Sequence, residues 1–260
     1  MKISKIHAVF FSPAGGTLKV LNAFLSALPL PAEKIDITSF SSSVQNRTFG
    51  AEELVVFAAP VYAGRIVPLA IQRFAALHGN HTPAVCLAVY GNRAYEDALL
   101  ELADLAKQNG FVPFAAAAAL AQHSIMRRVA AGRPDKDDEA QLVDFAKQVW
   151  RKLAQAQSAA VLSVPAVPGK RPYKDFKAVG FVPEASAACT RCGRCAAHCP
   201  SGAIDPSSPD QTDKARCIFC MGCVSVCPVR ARNANKALLW AAEKAFAFKY
   251  GARQEPEFFL

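Results

Sequence analysis

Four stretches in the first 120 residues are apolar without the alternation of a half-exposed strand: Ile3 to Phe11, Glu53 to Pro60, Ala84 to Tyr90 and Phe111 to Leu120. Short apolar runs bounded by turn residues predict strands buried on both faces. The last run is rich in alanine, which is poor strand material and compatible with helix. Between the runs, polar and apolar residues recur at helical spacing. Leu18, Leu21, Leu25 and Leu28 predict a helix over Thr17 to Leu28, and others are predicted over Pro68 to His78, Tyr95 to Gln108 and Asp135 to Gln157. Lys34 to Ile37 predicts one more short strand. The Ser/Thr-rich stretch from Thr38 to Thr48 predicts a loop or weak helix.

Strands alternating with helices imply a parallel sheet covered on both faces. Five strands over this length predict an α/β fold with the flavodoxin-like, doubly wound strand order 2-1-3-4-5. Beyond residue 157 the pattern breaks. Pro165, Pro168, Gly169, Pro172 and Pro183 predict an extended linker over 158–184.

The strongest chemical signal follows that linker. Cys189, Cys192, Cys195 and Cys199, with Pro200, are repeated 28 residues later as Cys217, Cys220, Cys223 and Cys227, with Pro228. Three cysteines at i, i+3 and i+6 in a tight loop can turn their sulfurs to one point and hold three corners of a cube. This spacing resembles the bacterial two-cluster ferredoxins. The resemblance implies an α+β domain over 185–232 with two 4Fe-4S clusters and crossed ligands. One cluster would take Cys189, Cys192, Cys195 and Cys227; the other would take Cys217, Cys220, Cys223 and Cys199. A zinc site gives no reason for a third in-phase cysteine or the Cys-Pro pair. A disulfide framework needs an oxidising compartment, and the N-terminus lacks an apolar signal segment and cleavage site. Without a charge-free span of membrane length, the chain is expected to be cytoplasmic, with no membrane span.

The formal net charge of +9 suggests nucleic acid at first sight. Two clusters on eight thiolates would lower it by about four, and the basic residues are scattered rather than interleaved with aromatics. Nucleic acid is therefore not an expected partner, whereas a basic surface can steer an acidic redox protein.

Three turns at predicted strand ends carry candidate ligands for a flavin. Ser12, Ala14, Gly15, Gly16 and Thr17 lie where a helix N-terminus would favour a phosphate, although Pro13 removes one donor. The stretch Pro60, Val61, Tyr62, Ala63, Gly64 and Arg65, and the stretch Tyr90, Gly91, Asn92, Arg93, Ala94 and Tyr95, set backbone amides beside aromatic rings, and an isoalloxazine needs both. The first turn resembles the phosphate loop of flavodoxins, with Ala14 where a third hydroxyl is usual. Tyr90 to Tyr95 is similar to their flavin-gripping loop. Together with Gly169 to Pro172, these motifs make the whole chain resemble the flavodoxin-plus-ferredoxin fusion proteins of anaerobic bacteria and archaea. That resemblance implies FMN in a domain over 1–157, two 4Fe-4S clusters, and a C-terminal helix and tail over 233–260 that docks on the first domain.

The expected function is electron transfer between the clusters and FMN, linking one-electron and two-electron partners. One alternative is a flavin-dependent reductase of a small quinone or nitro-type acceptor, with His123 to Arg128 as the rim of its pocket. Another is a cluster-based redox sensor whose flavodoxin-like domain is empty. The partner is expected to be a redox protein or a small electron acceptor. His198 is expected to lie at the surface or behind the clusters, and Cys86 to be inert packing.

Overall fold

The computed structural model of the chain describes residues 1–40, 46–163, 166–177 and 180–260. The middle of the predicted Thr38 to Thr48 loop and Pro165 of the predicted linker lie outside them. The elements run β1 (Lys5–Phe10), α1 (Gly16–Leu25), β2 (Ala32–Asp36), β3 (Arg47–Phe49), β4 (Glu53–Tyr62), β5 (Arg65–Ile66), α2 (Pro68–Phe74), β6 (Leu77–Gly79) and β7 (Thr82–Tyr90). They continue as α3 (Ala98–Gln108), β8 (Phe111–Leu120), α4 (Lys136–Gln155), β9 (Glu184–Ala185), α5 (Arg194–His198), α6 (Gly222–Ser225), β10 (Arg232–Asn233), α7 (Lys236–Tyr250) and β11 (Glu257–Phe259).

The apolar runs pair in parallel because each has two faces to bury. The strands lie in the order β2-β1-β4-β7-β8, all parallel, with β11 added antiparallel beyond β8. Counted along the chain, the five parallel strands follow the flavodoxin-like order 2-1-3-4-5. Alternate side chains of β1 divide the core. Val9 and Phe11 pack with Phe57, Phe74, Leu99 and Leu102 beneath α2 and α3. Ile6, Ala8 and Phe10 pack with Leu21, Phe24, Phe145, Val149 and Leu153 beneath α1 and α4.

The alanine run of β8 is a strand although its propensity is poor. Its residues Ala115 to Ala119 are fully buried between β7 and β11, so pairing on both edges outweighs local preference. The helix predicted over Pro68 to His78 ends early, since Leu77–Gly79 pairs with Arg47–Phe49 instead. The turn after β4 closes a hairpin with β5 through Ala63 (φ 52°) and Gly64 (φ 82°), two left-handed residues as a tight hairpin turn requires.

α4 is started by reciprocal bonds. Asp138 N–H donates to Asp135 Oδ1 at 3.1 Å and Asp135 N–H to Asp138 Oδ2 at 2.9 Å, a capping box with an acidic first turn that suits the helix dipole. After α4, the chain from Lys170 to Lys174 lies along α3. Asp97 accepts the amides of Lys170 and Lys174 at 2.9 and 2.8 Å, and Asp104 holds Arg171 and Tyr173.

In the cysteine-rich region the sequence repeat is also a backbone repeat. Arg191 and Phe219, Gly193 and Met221, and Gly202 and Arg230 are pairs 28 residues apart, and all have positive φ. α7 then packs Leu239, Ala242 and Phe246 against Ile125, Met126, Val129 and Met221. Among the described residues, no helix is long and apolar enough to cross a membrane.

Candidate functional site

The two cysteine runs interleave. Cys189, Cys192, Cys195 and Cys227 line one small cavity. Cys199 is the electrostatic neighbour of Cys217, Cys220 and Cys223. None of the nine cysteines is in a disulfide. Backbone amides point at the sulfurs at matching places in each run: Arg191 to Cys189 at 3.4 Å and Phe219 to Cys217, Ala203 to Cys199 at 3.3 Å and Ala231 to Cys227 at 3.2 Å; Gly222 also points to Cys220 at 3.5 Å. Such bonds stabilise thiolate ligands and tune clusters.

Each group of four is made of cysteine thiols alone, the donors that 4Fe-4S clusters take. Burial pushes the Cys223 thiol up to about 12 and the Cys220 thiol higher still, so loading iron must expel protons from these sites. Burial likewise pushes Cys86 up to about 12; it is a fully buried residue of β7, packed in the core.

Above the carboxyl ends of β1, β4, β7 and β8 lies a cleft of about 220 Å³. Of the candidate flavin residues, Ser12, Ala14, Gly16, Thr17, Pro60, Val61, Tyr62, Ala63, Tyr90 and Gly91 line it. The turn before α1 is left open at its amides. Ser12 Oγ accepts the Leu18 N–H at 2.9 Å, and Gly15, at φ 86°, caps α1 without a side-chain bond. Among the described residues, the amides of Gly16 and Thr17 have no acceptor in the protein. With Lys19 in the same wall, they suit a phosphate. Gly16 must be glycine, because a Cβ there would stand 2.9 Å from that of Ala121.

Tyr62 and Tyr90 stay protonated. Burial, and then the neighbouring Cys220, push Tyr62 well up; burial and then Glu257 push Tyr90 to about 12. Burial pulls His123 down to about 4. Its Nδ1 accepts the amides of Ile125 and Met126 at 3.2 and 3.0 Å, which puts the imidazole proton on Nε2.

Gly15, Gly64, Asn92, Arg93 and Tyr95 do not line the cleft. Gly64 closes the β4–β5 turn. Asn92 Nδ2 donates to the carbonyls of Tyr250 and Ala252, both at 2.7 Å, and its Oδ1 accepts the Gln254 amide at 3.2 Å. Tyr95 donates to Glu257 at 2.8 Å, and Arg93 pairs with Glu96. Three residues expected on a flavin are therefore occupied elsewhere, two of them holding the C-terminal tail.

The far wall of the cleft was not anticipated. It consists of Phe176 and Lys177 from the chain after α4, and Ile218, Phe219, Met221 and Ser225 from the second cysteine run. A signal for it stood in the sequence. Where the first run has Thr190, Arg191, Gly193 and Arg194, the second has Ile218, Phe219, Met221 and Gly222, so the second loop is the one with an apolar surface to bury.

Residues 188–231 match the family described as 4Fe-4S dicluster domain. A search of the curated proteins finds no match. Similar solved structures include a flavodoxin from the domain Archaea, at 12% identity over 58% of this chain and 100% of that one, TM-score 0.41. Another is the Streptococcus pneumonia TIGR4 flavodoxin, at 14% identity over 57% and 99%, TM-score 0.39. An azoreductase from Bacillus anthracis str. Sterne is similar at 12% identity over 58% and 100%, TM-score 0.38. The strand order itself defines the first domain. The chain joins a flavodoxin-like α/β domain to a 4Fe-4S dicluster domain.

Proposed function

We propose that this protein is an iron-sulfur flavoprotein that transfers electrons between two 4Fe-4S clusters and an FMN held in the cleft, linking one-electron and two-electron redox partners. The supporting observation is that the second cysteine run forms the wall of the cleft: Ile218, Phe219 and Met221 lie against the same space as Thr17, Tyr62 and Tyr90. When bound, FMN supplies two-electron chemistry that can be divided into single steps, and each cluster supplies one electron. The protein's own residues bind and orient. The Gly16 and Thr17 amides and Lys19 take the phosphate, Tyr62 and Tyr90 supply aromatic surface, and His123 offers an Nε2–H donor at neutral pH.

The two cysteine sites differ in exposure. In the first, Cys192 is exposed, Cys189 and Cys227 are half-buried and Cys195 is buried; in the second, Cys217 is half-buried and Cys199, Cys220 and Cys223 are buried. The site of Cys217, Cys220, Cys223 and Cys199 thus faces the cleft, and the site of Cys189, Cys192, Cys195 and Cys227 faces solvent, where exposed Arg194 and Arg230 suit an acidic redox partner.

The test is anaerobic reconstitution with iron, sulfide and FMN. About eight irons and one flavin per chain are expected, followed by flavin bleaching when one-electron reductant is added to the clusters. A flavin that binds but stays oxidised beside fully reduced clusters sinks the proposal. A second reading, reduction of a small quinone or nitro-type acceptor, has one observation in its favour: His123, Ser124, Ile125 and Arg127 reach the same cleft. Turnover of such acceptors without any protein partner would favour it.

A further inference from the structure

The two halves of the dicluster domain repeat each other in backbone but differ at one buried position. Ala203 and Ala231 both donate their amides to the cysteine four residues earlier. The residue after each is buried: Ile204 in the first half, and Arg232 in the second. Ile204 packs with Cys195, Cys199 and Cys223. Arg232 is 1% exposed, and a guanidinium does not lose its proton in a protein.

Four of the bonds that hold it go to uncharged acceptors. Nη1 donates to Thr212 Oγ1 at 2.6 Å and to the Pro183 carbonyl at 3.3 Å, and Nη2 donates to the carbonyls of Gln211, at 3.1 Å, and Pro209. Asp210 feels the charge of Arg232, but no hydrogen bond joins them: its Oδ2 accepts from Arg191 at 2.9 Å, and its Oδ1 is buried without a hydrogen-bond partner. Two features are left unmatched. Arg232 Nε is buried with no hydrogen-bond partner, and a full positive charge is buried without a bonded anion, which is costly unless something compensates it. The same residue lines the cavity formed by Cys189, Cys192, Cys195 and Cys227.

We propose that Arg232 is a cluster-facing cation: its Nε–H donates to a sulfur of the cluster held by Cys189, Cys192, Cys195 and Cys227, and its charge raises that cluster's reduction potential. A 4Fe-4S core with four thiolates carries net negative charge, more so when reduced, so it supplies both the missing acceptor and the missing counter-charge. The reduced form gains more from a fixed cation than the oxidised form does. The matching position of the first half is Ile204, and the charge of Arg232 also reaches Cys217 and Cys223, so the effect is expected to be larger at the cluster whose cavity Arg232 lines. Electrons entering at the exposed site would meet the cluster that Arg232 favours.

The inference rests on the cluster assignment, so iron and sulfide are counted first in the reconstituted full-length protein. Wild-type protein without iron sinks the cluster assignment itself. With about eight irons in wild type, Arg232→Met and Arg232→Lys are compared with it by EPR-monitored redox titration. At the potential where the wild-type cluster is half reduced, the reduced-to-oxidised ratio in Arg232→Met is expected to fall about tenfold, roughly 59 mV for a one-electron couple. Arg232→Lys, which keeps the charge, is expected to recover most of that loss. An unchanged midpoint in Arg232→Met with its iron retained overturns the proposal, as does a lysine variant shifted as far as the methionine one. Should Arg232→Met hold no iron, wild-type protein with arginine labelled by nitrogen-15 at Nε alone decides the matter. Pulsed EPR of the reduced protein then shows a hyperfine coupling to that nitrogen that persists in Arg191→Lys, or the proposal fails.

Discussion

His198 Nε2–H donates to the carbonyl oxygen of Pro13 across 2.7 Å, joining the helix between Cys195 and Cys199 to the turn that opens the cleft. Gly222, beside Cys223, lies against the same carbonyl; a Cβ there would stand 2.9 Å from it. Two elements more than 180 residues apart in sequence thus meet at one peptide group. Arg73 adds a second tie, donating to the carbonyls of Ile37, Thr38 and Pro200 at 2.6, 2.7 and 2.6 Å.

His198→Ala should therefore loosen the cluster domain from the phosphate turn while leaving the eight thiols in place. Losing one such bond is worth about 1 kcal/mol, so FMN affinity is expected to fall about fivefold, with iron content unchanged. Gly222→Ala should do more, because a backbone carbonyl cannot swing aside as a side chain can. Flavin fluorescence titration and iron analysis on the two variants check both statements; equal FMN affinity in Gly222→Ala and wild type would count against them.

Crossed ligation makes a distinctive prediction for Cys227. Cys227→Ala should remove about four irons, those of the exposed site, and leave the cluster beside the cleft able to exchange electrons with flavin. Pairing by sequence order would give the reverse, with the cleft-side cluster lost and internal exchange abolished. Iron counting with rapid-mixing absorbance separates the two.

Asn92 is 3% exposed and stands at φ 67°, a left-handed position that asparagine tolerates better than most residues. Asn92→Ala removes the bonds to Tyr250, Ala252 and Gln254, at a cost of about 1 kcal/mol because the tail carbonyls can turn to water. The expected outcome is faster hydrogen exchange across Glu257–Phe259 and earlier proteolysis in the tail, with flavin binding reduced much less than in Gly222→Ala.

His123 should make stability depend on pH. Its folded value of about 4 lies below the ordinary 6.5 because burial disfavours the charged ring. Between those values the unfolded chain binds a proton that the folded chain does not. The contribution is therefore whole above pH 6.5 and is lost as pH falls toward 4, at about 1.4 kcal/mol per unit at most. Denaturant titrations from pH 8 to 5.5 should show this slope in wild type and a flatter one in His123→Gln.

Much of the molecule was legible along the chain because the physics involved is local. Unbroken apolar runs call for strands with two buried faces, and the cysteine spacing calls for tight loops, with left-handed residues at Arg191, Phe219, Gly193 and Met221. The turns at Ser12 to Thr17, Pro60 to Ala63 and Tyr90 to Gly91 follow from strand ends in the same way, and all three reach the cleft. The last strand was harder to see. Glu257–Phe259 is three residues long and gains its stability by pairing with Ala116 to Ala118, on the far side of the chain.

What the tertiary structure alone decided is which neighbours each group has. Asn92 and Tyr95 follow a flavodoxin-like turn yet serve the C-terminal tail, because their polar atoms find acceptors in residues about 160 positions away. Only packing sets Ile218 and Phe219 against the cleft and leaves Cys192 in solvent, so only packing distinguishes the cysteine site beside the cleft from the one open to solvent. The cysteine repeat makes its two halves look equivalent. Burial, which depends on the elements that close over each half, makes them different, and it turns Arg232 from an ordinary basic residue into a charge that needs a counter-ion.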